Sequence, residues 1–239
     1  MPTGTIQGKD RFLKNIADKL GRKQKTEKVE LPKWSKRPQD EVFKSHTKDE
    51  LLNEFVKHCD KIHTKVKVTT KSQLAKQLHE AVEELGGQSI VHWEDDRFEQ
   101  FGLLDALNIE KEKGVDVHKW EPDLRKENIK IAERTNIGIT FSDMTLAESG
   151  TVVLLSDEGK GRSVSLLPQT YLAIIPKSTL VPRMTQANEQ IHEIAKQQGK
   201  IPSCINFISG PSNSADIELR LVVGVHGPVK AYYIVIDDA

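Results

Sequence analysis

The spacing of apolar residues along the chain predicts that helices alternate with strands. In residues 8–20 the apolar side chains recur on one helical face, which ends at Gly21. A second amphipathic helix is expected to begin at Thr47, because Glu50 lies three residues later and completes a capping box. Further helices are expected at 74–85, from 122 to about 134, and at 185–198.

The strongest strand signals lie in the C-terminal half of the chain. Segments rich in β-branched and aromatic residues are expected to be buried strands at 151–156, 171–176, 204–209 and 231–237. Shorter strands are expected near 66–68 and at 88–93, 115–120 and 137–141. Apolar strands that alternate with helices form parallel sheets covered on both faces. The predicted fold is therefore α/β, with a mostly parallel open sheet covered by helices and an N-terminal helical arm.

The chain is expected to divide near residue 46. Residues 22–46 are basic and are interrupted by Pro32 and Pro38, which is typical of an extended linker. We therefore expect residues 1–46 to form an N-terminal helix with an extended basic linker, and residues 47–239 to form the α/β domain.

Charge and hydropathy restrict the classes of function. The 239 residues include 35 Lys or Arg and 35 Asp or Glu, so no net charge attracts the protein to nucleic acid or to a membrane surface. No segment approaches the run of about 18 apolar residues that a membrane span needs, and no apolar signal segment opens the chain. These patterns predict a cytoplasmic protein that binds no nucleic acid.

The two cysteines do not form a recognisable metal-binding or disulfide motif. Cys59 and Cys204 are far apart, and neither belongs to a CxxC motif. The sequence therefore predicts no disulfide framework, no structural zinc site and no iron–sulfur cluster in this chain.

The stretch 145-TLAESGTVVLL-155 places polar residues at the start of a very apolar strand. Gly150 permits a sharp turn into the strand, and Ser149 can satisfy free backbone groups there. Glu148 is either a solvated turn residue or a carboxylate at the edge of a cleft, where it could act as a general base or a nucleophile.

The stretch 209-SGPSNSADIELRL-221 is a second candidate. Its small, turn-forming residues are expected to lead into a short helix capped by Ser214 or Asp216, and such a turn presents backbone N–H groups to an anion. It lacks the Gly-Lys-Ser ending of a P-loop and the G-x-S-x-G pattern of a nucleophile elbow. A plain turn before a capped helix is the alternative. The candidate ligand contacts here are Gly210, Ser212, Asn213 and Asp216.

Three further residues are candidates for binding or proton transfer. Arg162 lies in the loop 157-DEGKGRS-163 and could reach a phosphate or carboxylate, although a solvated turn would have the same composition. Arg183 is another possible carboxylate clamp. His226 lies between two glycines and before Pro228, either as a turn histidine or as an acid, base or ligand donor.

Three of these stretches carry a family resemblance. The segments 146-LAESGTVVL-154, 159-GKGRSVSLLP-168 and 209-SGPSNSADIELRLVVGVHGP-228 resemble the LUD domain family. The N-terminal GTIQGKDRFLKNIADKLGR is similar to members from Bacillus-type bacteria, so the resemblance covers essentially the whole chain.

The resemblance implies a place in lactate metabolism. It implies three proteins encoded together that permit growth on L-lactate by oxidising it to pyruvate, of which the other two resemble iron–sulfur proteins. The implied fold is that of the superfamily of ribose-5-phosphate isomerase, CoA-transferase and formyltetrahydrofolate cyclo-ligase. In CoA transferases a catalytic Glu lies in Ser-Glu-Asn-Gly, from which Ala147-Glu148-Ser149-Gly150 departs at two of four positions.

Together these features predict a component of a cytosolic L-lactate oxidation system that binds a small anionic metabolite. The redox centres are expected in two iron–sulfur partner proteins. No cofactor or metal is expected in this chain. One alternative is a stand-alone transferase or ligase on a nucleotide or CoA substrate, and another is a non-catalytic assembly subunit that docks through helix 8–20 and the linker. Whether the chain has its own turnover stays open. The candidate catalytic residues are Glu148 and His226, and the candidate ligand contacts are Ser149, Gly150, Arg162, Gly210, Ser212, Asn213 and Asp216.

Overall fold

A computed structural model describes residues 6–24, 32, 34–217 and 220–237 of the protein. Within these residues the helices are α1 (Lys9–Lys19), α2 (Lys48–Lys61), α3 (Leu74–Glu84), α4 (Arg97–Gln100), α5 (Leu103–Glu112), α6 (Lys126–Arg134), α7 (Ser163–Leu166) and α8 (Met184–Gln198). The strands are β1 (Lys65–Thr69), β2 (Ser89–His92), β3 (Asp116–Lys119), β4 (Ile137–Phe141), β5 (Met144–Leu146), β6 (Thr151–Leu155), β7 (Thr170–Pro176), β8 (Leu180–Val181), β9 (Ile205–Ser209), β10 (Asn213–Ile217), β11 (Arg220–Val223) and β12 (Lys230–Ile236). No helix among the described residues is both long enough and apolar enough to cross a bilayer.

The chain divides into two compact units, Met1–Pro38 and Gln39–Ala239, and each is described by itself. The first contains α1, which ends where the N–H of Leu20 donates to the carbonyl of Ile16 at 3.0 Å. Part of the expected linker, at 25–31 and 33, lies outside the described residues. In the second unit α2 begins as the sequence predicts, because Thr47 and Glu50 form both hydrogen bonds of a capping box.

The centre of the second unit is a six-stranded sheet in which all strands are parallel. Its order is β1-β12-β7-β4-β2-β3, and β7 is buried along its whole length. The mostly parallel sheet predicted from the sequence is therefore confirmed. The carboxyl ends of these strands lie at one edge of the sheet, which we call the carboxyl edge, and the opposite edge is the amino edge.

A second sheet of four strands has the order β8-β5-β6-β9. Strands β5 and β6 form an antiparallel hairpin, and β6 pairs antiparallel with β9. Two of the four strongly apolar strands expected from the sequence, β6 and β9, thus lie outside the parallel sheet.

The helix expected after residue 213 is absent from the described residues, and its prediction is wrong. The structure has an antiparallel ribbon there, in which Asn213 pairs with Val223 and Ser214 with Val222. The two valines are β-branched and favour the extended backbone, and cross-strand hydrogen bonds replace those of a helix. Ser214, which was expected to cap a helix, therefore lies in a strand.

The helix expected to begin at Pro122 is also interrupted. A 3-10 turn at Pro122–Leu124 precedes α6, and Arg125 separates them with φ 43° and ψ −113°. A non-glycine residue rarely adopts this conformation.

The two faces of the parallel sheet are covered differently. On one face Phe98 of α4 meets Phe141 of β4 edge-on at 5.0 Å, and α3 and α5 complete this layer. On the other face Phe55 of α2 stacks on Tyr233 of β12 at 5.9 Å, beside α7 and the four-stranded sheet. The helix α8 covers the outer face of the four-stranded sheet, where Ala187 joins a small apolar cluster.

The loop 157–163 crosses the carboxyl edge and is held there by hydrogen bonds. The indole N–H groups of Trp93 and Trp120 donate to the carbonyls of Gly161 and Glu158 at 2.9 and 3.0 Å. A Cβ on Gly161 would lie 2.1 Å from the Trp120 ring, so only glycine fits this contact.

A cluster of buried and half-buried charges fixes the same loop. Arg97 Nη2 lies 2.6 Å from Asp95 Oδ2 and 2.8 Å from Asp143 Oδ1, and Lys160 Nζ of the loop lies 3.3 Å from Asp95 Oδ2. The side chain of Asp95 is 4% exposed. Burial by itself raises the pKa of Asp95. The hydrogen bonds and charge of Arg97, together with the charge of Lys160, outweigh burial and lower the pKa to about 2.

The contact between Phe55 and Tyr233 predicts a large loss of stability when it is removed. Phe55 is fully buried, so Phe55→Ala should lower the free energy of unfolding by about 3–5 kcal/mol through lost burial and the cavity that remains. The neighbouring Val56 is 38% exposed, and Val56→Ala should cost less than about 1 kcal/mol. Urea denaturation of both variants measures the difference, and equal losses would contradict the packing described.

The charge cluster predicts a stability difference that depends on pH. The folded-state pKa of Asp95 is about 2, below its ordinary 3.8, so its ionised carboxylate stabilises the fold above about pH 4 and loses this effect as the pH falls towards 2. At pH 7, Asp95→Asn should lower the free energy of unfolding by on the order of 2 kcal/mol. The difference from the parent should shrink as the pH falls from 4 to 2, which urea denaturation at several pH values measures.

Asp157→Asn is the matched control for this experiment. Asp157 lies 3.8 Å from the same lysine with its side chain 58% exposed, so its replacement should change the free energy of unfolding by less than about 0.5 kcal/mol. A loss for Asp95→Asn that stays constant with pH would show that the charge of the carboxylate does not cause it.

Candidate functional site

Two neighbouring cavities open at the carboxyl edge. The larger, about 1210 Å³, lies between the end of β6, the loop that follows it, and the segment after α8. The smaller, about 300 Å³, lies between the same loop and the start of α6. Both are lined by Ser156, Asp157, Lys160 and Ser203, so we treat them as one feature, the carboxyl-edge cleft. Open parallel sheets usually bind ligands at this edge.

Two cationic side chains line the smaller cavity without a protein partner. Arg162 precedes α7 and Arg125 precedes α6. Neither guanidinium forms an ion pair or hydrogen bond with the residues that the structure describes. Lys160, which also lines the cavity, is instead paired with Asp95. The two arginines are therefore the groups available to hold an anion.

One polar atom in the wall of the cleft has no partner among the described residues, and a second such atom lies nearby on β9. Ser156 is 9% exposed, and its Oγ has no hydrogen-bond partner among the described residues. The backbone N–H of Ser156 donates to the carbonyl of Cys204 at 3.0 Å, and the Cys204 Sγ donates to Asn206 Oδ1 at 3.4 Å. The Nδ2 of Asn206 also lacks a partner in this part of the chain. Buried polar atoms are normally paired, so these are candidates for contact with a ligand or water.

The residues predicted around Gly150 and Gly210 are brought together by the pairing of β6 with β9. The hydroxyl of Thr151 lies 2.7 Å from Ser149 Oγ and 2.6 Å from Ser209 Oγ. A Cβ on Gly150 would lie 2.8 Å from the Ile62 side chain, and one on Gly210 would lie 2.7 Å from the Ile62 carbonyl. At both glycines the adjacent space is therefore filled by the segment that follows α2.

Glu148 lies in the turn between β5 and β6 and has a protein partner. Arg183 Nε donates to Glu148 Oε2, and both side chains are 29% exposed. The backbone N–H of Glu148 donates to the carbonyl of Pro182 at 3.2 Å. The clamp expected of Arg183 thus holds a carboxylate of the protein itself.

Ser212 organises the loop that carries His226. The backbone N–H of His226 donates to Ser212 Oγ at 3.3 Å, and the N–H of Gly224 donates to the Ser212 carbonyl at 2.9 Å. The His226 side chain is exposed, and Asn213 Nδ2 donates to the Pro211 carbonyl at 3.1 Å. Asp216 belongs to β10, and its side chain lies outside the described residues.

The predicted site residues therefore divide between the two edges of the sheet. The loop of His226 leads into β12 at the amino edge, where the N–H of Val229 donates to the carbonyl of Gln169 just before β7. Arg162 lies in the carboxyl-edge cleft, beside Trp120, which follows β3. The roles assigned to these residues stay predictions.

Sequence reasoning missed several residues of the carboxyl edge. Asp95 and Asp143 follow β2 and β4, which are neighbours in the sheet, and charged residues just after adjacent parallel strands were a signal that could have identified them. Neither Ser156 nor Arg125 could be identified from the local sequence. Ser156 is notable only because its side chain is buried, and Arg125 only because of its backbone conformation. No three His, Cys, Asp or Glu side chains in the described ranges are grouped to hold a metal ion.

Comparison with known proteins adds the family. The LUD domain model matches residues 52–236. A protein named lactate utilization protein C from Geobacillus sp. (strain WCH70) is 55% identical over 239 residues, which cover 100% of this chain and 99% of that protein. Its namesake from Bacillus subtilis (strain 168) is 49% identical over 239 residues and 100% of both chains.

A solved structure is similar in fold. The crystal structure of a DUF162 family protein from Deinococcus radiodurans matches with a TM-score of 0.55 and 14% identity, covering 80% of this chain and 99% of that one. At this identity the likeness bears on the fold alone. The family match over most of the chain and the full-length relatives show that the chain belongs to the LUD domain family.

Proposed function

We propose that the protein is a cytoplasmic component of an L-lactate utilization system, in which it supports the oxidation of L-lactate to pyruvate together with two iron–sulfur proteins. The observation that carries this proposal is the match over the full chain, at 49–55% identity, to relatives named lactate utilization protein C. A chain that similar over its whole length is expected to keep the role for which its relatives are named.

The chemistry of the reaction defines what this chain would contribute. Oxidation of L-lactate to pyruvate removes two electrons and two protons from the substrate, and a redox centre must accept the electrons. In the proposal the clusters of the partner proteins accept them, and this chain binds the small anionic metabolite. A carboxylate can form two parallel hydrogen bonds with a guanidinium, which Arg162 and Arg125 present in the carboxyl-edge cleft.

Proton transfer by Glu148 or His226 is an alternative within this function, for a metabolite that binds at the amino edge, where His226 lies, and not between the two arginines. Arg183 binds Oε2 of Glu148, so the other carboxylate oxygen, Oε1, is the one to accept a proton from a substrate. His226 is exposed and is held through its backbone, so its ring is free to approach a ligand at the amino edge.

A non-catalytic assembly role is a second candidate, and one observation favours it. The helix α1 exposes large apolar side chains, with Phe12 at 64% and Leu20 at 60%. Exposed aromatic and aliphatic side chains on one helix face are typical anchors for a partner protein.

Growth on L-lactate tests the main proposal. Deletion of the gene should abolish growth on L-lactate, and the parent gene should restore it. If Glu148 and His226 transfer protons, cells with Glu148→Gln or His226→Asn should consume L-lactate at least about a hundredfold more slowly, the usual effect of losing a general acid or base.

The matched controls are Glu112→Gln and His192→Asn, which change the same side-chain types at exposed positions on α5 and α8. Both should restore growth fully. A deletion strain that grows like the parent would overturn the lactate proposal, whereas full rescue by the first two variants would remove only their catalytic roles.

The assembly role predicts a loss of association without a loss of fold. Replacing Phe12 and Leu20 together with Ser should weaken co-purification with the iron–sulfur partners at least tenfold, because each buried anchor typically contributes more than about 1 kcal/mol. Ile109→Ser is the control, since Ile109 is 51% exposed on α5. Unchanged co-purification of the double variant would rule out docking through α1.

A further inference from the structure

The smaller cavity of the carboxyl-edge cleft has two arginines, which carry more positive charge than the single carboxylate of lactate neutralises. Arg125 and Arg162 approach it from two different segments and have no partner among the described residues. The acidic residue in its lining, Asp157, is largely exposed and lies 3.8 Å from Lys160 Nζ. The cavity therefore favours a ligand with two negative charges over one with a single charge, and guanidinium forks match phosphate oxygens well.

The backbone at Arg125 supports an anion site. Its φ of 43° and ψ of −113° are strained for any residue except glycine, yet an arginine occupies the position. Strain of this kind is retained where it holds a side chain for function. Arg125 also precedes the nine-residue helix α6, whose first N–H groups attract negative charge.

A buried hydroxyl adds an independent observation. Ser156 lines the cavity, is 9% exposed, and has an Oγ without a hydrogen-bond partner in the described part of the chain. An unpaired buried hydroxyl is costly, and a ligand oxygen would satisfy it.

One part of the wall is apolar. It contains the Trp120 indole, held in place by its bond to Glu158 and by Gly161, and Ile129 on α6. Ser163, Ser203 and Cys204 also line the cavity. Planar rings stack favourably on an indole, independently of their exact identity.

The volume points to a ligand larger than lactate. The cavity measures about 300 Å³, whereas a molecule the size of lactate occupies on the order of 100 Å³, about three times the share of one water. The space beyond the cations would stay unfilled with lactate alone.

From charge, strain, the free hydroxyl, the aromatic wall and the volume, we propose that the smaller cavity binds a phosphate monoester that carries a planar ring, of the class of nucleoside monophosphates. The phosphate lies between Arg125 and Arg162, and the ring lies along Trp120. The site uses the two arginines proposed above to bind the metabolite carboxylate. Growth on L-lactate tests that role, and binding of the monophosphate to the isolated chain tests this site, so the two proposals can fail separately.

Calorimetric titration of the full chain in phosphate-free buffer tests this site. The probes are adenosine 5′-monophosphate, adenosine without the phosphate, and inorganic phosphate without the ring. The monophosphate should bind at least tenfold more tightly than either fragment. Arg125→Gln and Arg162→Gln should each weaken its binding about tenfold, the effect of losing one charge-assisted hydrogen bond.

The matched control is Arg134→Gln, which removes the same charge at the other end of α6 and should leave binding unchanged. Arg125→Gly separates ligand binding from folding. Relief of the strain should raise Tm by about 2–4 °C, while affinity for the monophosphate falls as in the glutamine variant.

The proposal is overturned if the monophosphate does not bind at millimolar concentration or if adenosine or inorganic phosphate binds as tightly. Equal binding by the parent and both glutamine variants would also overturn it. Lower affinity in Arg134→Gln than in Arg125→Gln would place the anion elsewhere on the helix.

Discussion

The carboxylate of Asp143 joins the two sheets of the second unit. One of its oxygens lies 2.8 Å from Arg97 Nη2, beside the end of the parallel sheet, and the other accepts the backbone N–H of Leu155 at 2.7 Å, at the end of β6. Arg97 in turn holds Asp95, which also binds Lys160 of the loop. A buried ion pair is stable only when every charge is partnered, and here each carboxylate is bound by more than one donor. The position of the loop 157–163, and with it the shape of the carboxyl-edge cleft, depends on this arrangement.

The two edges of the parallel sheet differ in how their polar groups are used. At the amino edge Gly150 and Gly210 pack against Ile62, and Ser212 forms hydrogen bonds with the loop before β12. Contacts within the protein therefore fill the space there and satisfy these backbone groups. At the carboxyl edge the buried Ser156 Oγ has no hydrogen-bond partner among the described residues, and the exposed Arg162 forms no ion pair with them. Since leaving a buried polar group unpaired costs free energy, such groups are retained where something else binds them. This contrast is the reason for proposing an anion site at the carboxyl edge, and it shows that the amino-edge motifs also stabilise the fold.

The sequence was sufficient to predict those structural elements that depend on interactions between residues close to one another in the chain. The capping box at Thr47 and the apolar period of α2 predict that helix correctly, and apolar strands separated by helices predict the parallel sheet. Assigning β6 and β9 to a second sheet requires pairing between residues 58 apart, such as Thr151 and Ser209, which no local pattern encodes. The ribbon of β10 and β11 pairs residues that are close in sequence, and it was predicted as a helix because Ser214 and Asp216 are typical helix caps. In the site, the closeness of Gly150 and Gly210 depends on the same long-range pairing, and the backbone conformation of Arg125 has no local signal either.

The loop 157–163 links the charge cluster to the cleft, because neighbouring residues of one short segment serve both. Lys160 is bound to Asp95 and lies 5.9 Å from the Trp93 ring centroid, while Gly161 fits against Trp120 and bonds to Trp93. These contacts fix the backbone next to Arg162, which lines the smaller cavity and forms no ion pair with a carboxylate among the described residues. Ordering a cationic loop on binding normally lowers affinity, and here the buried ion pairs have already ordered it. The ion pairs that join the two sheets therefore also fix the backbone of the loop beside the proposed anion site.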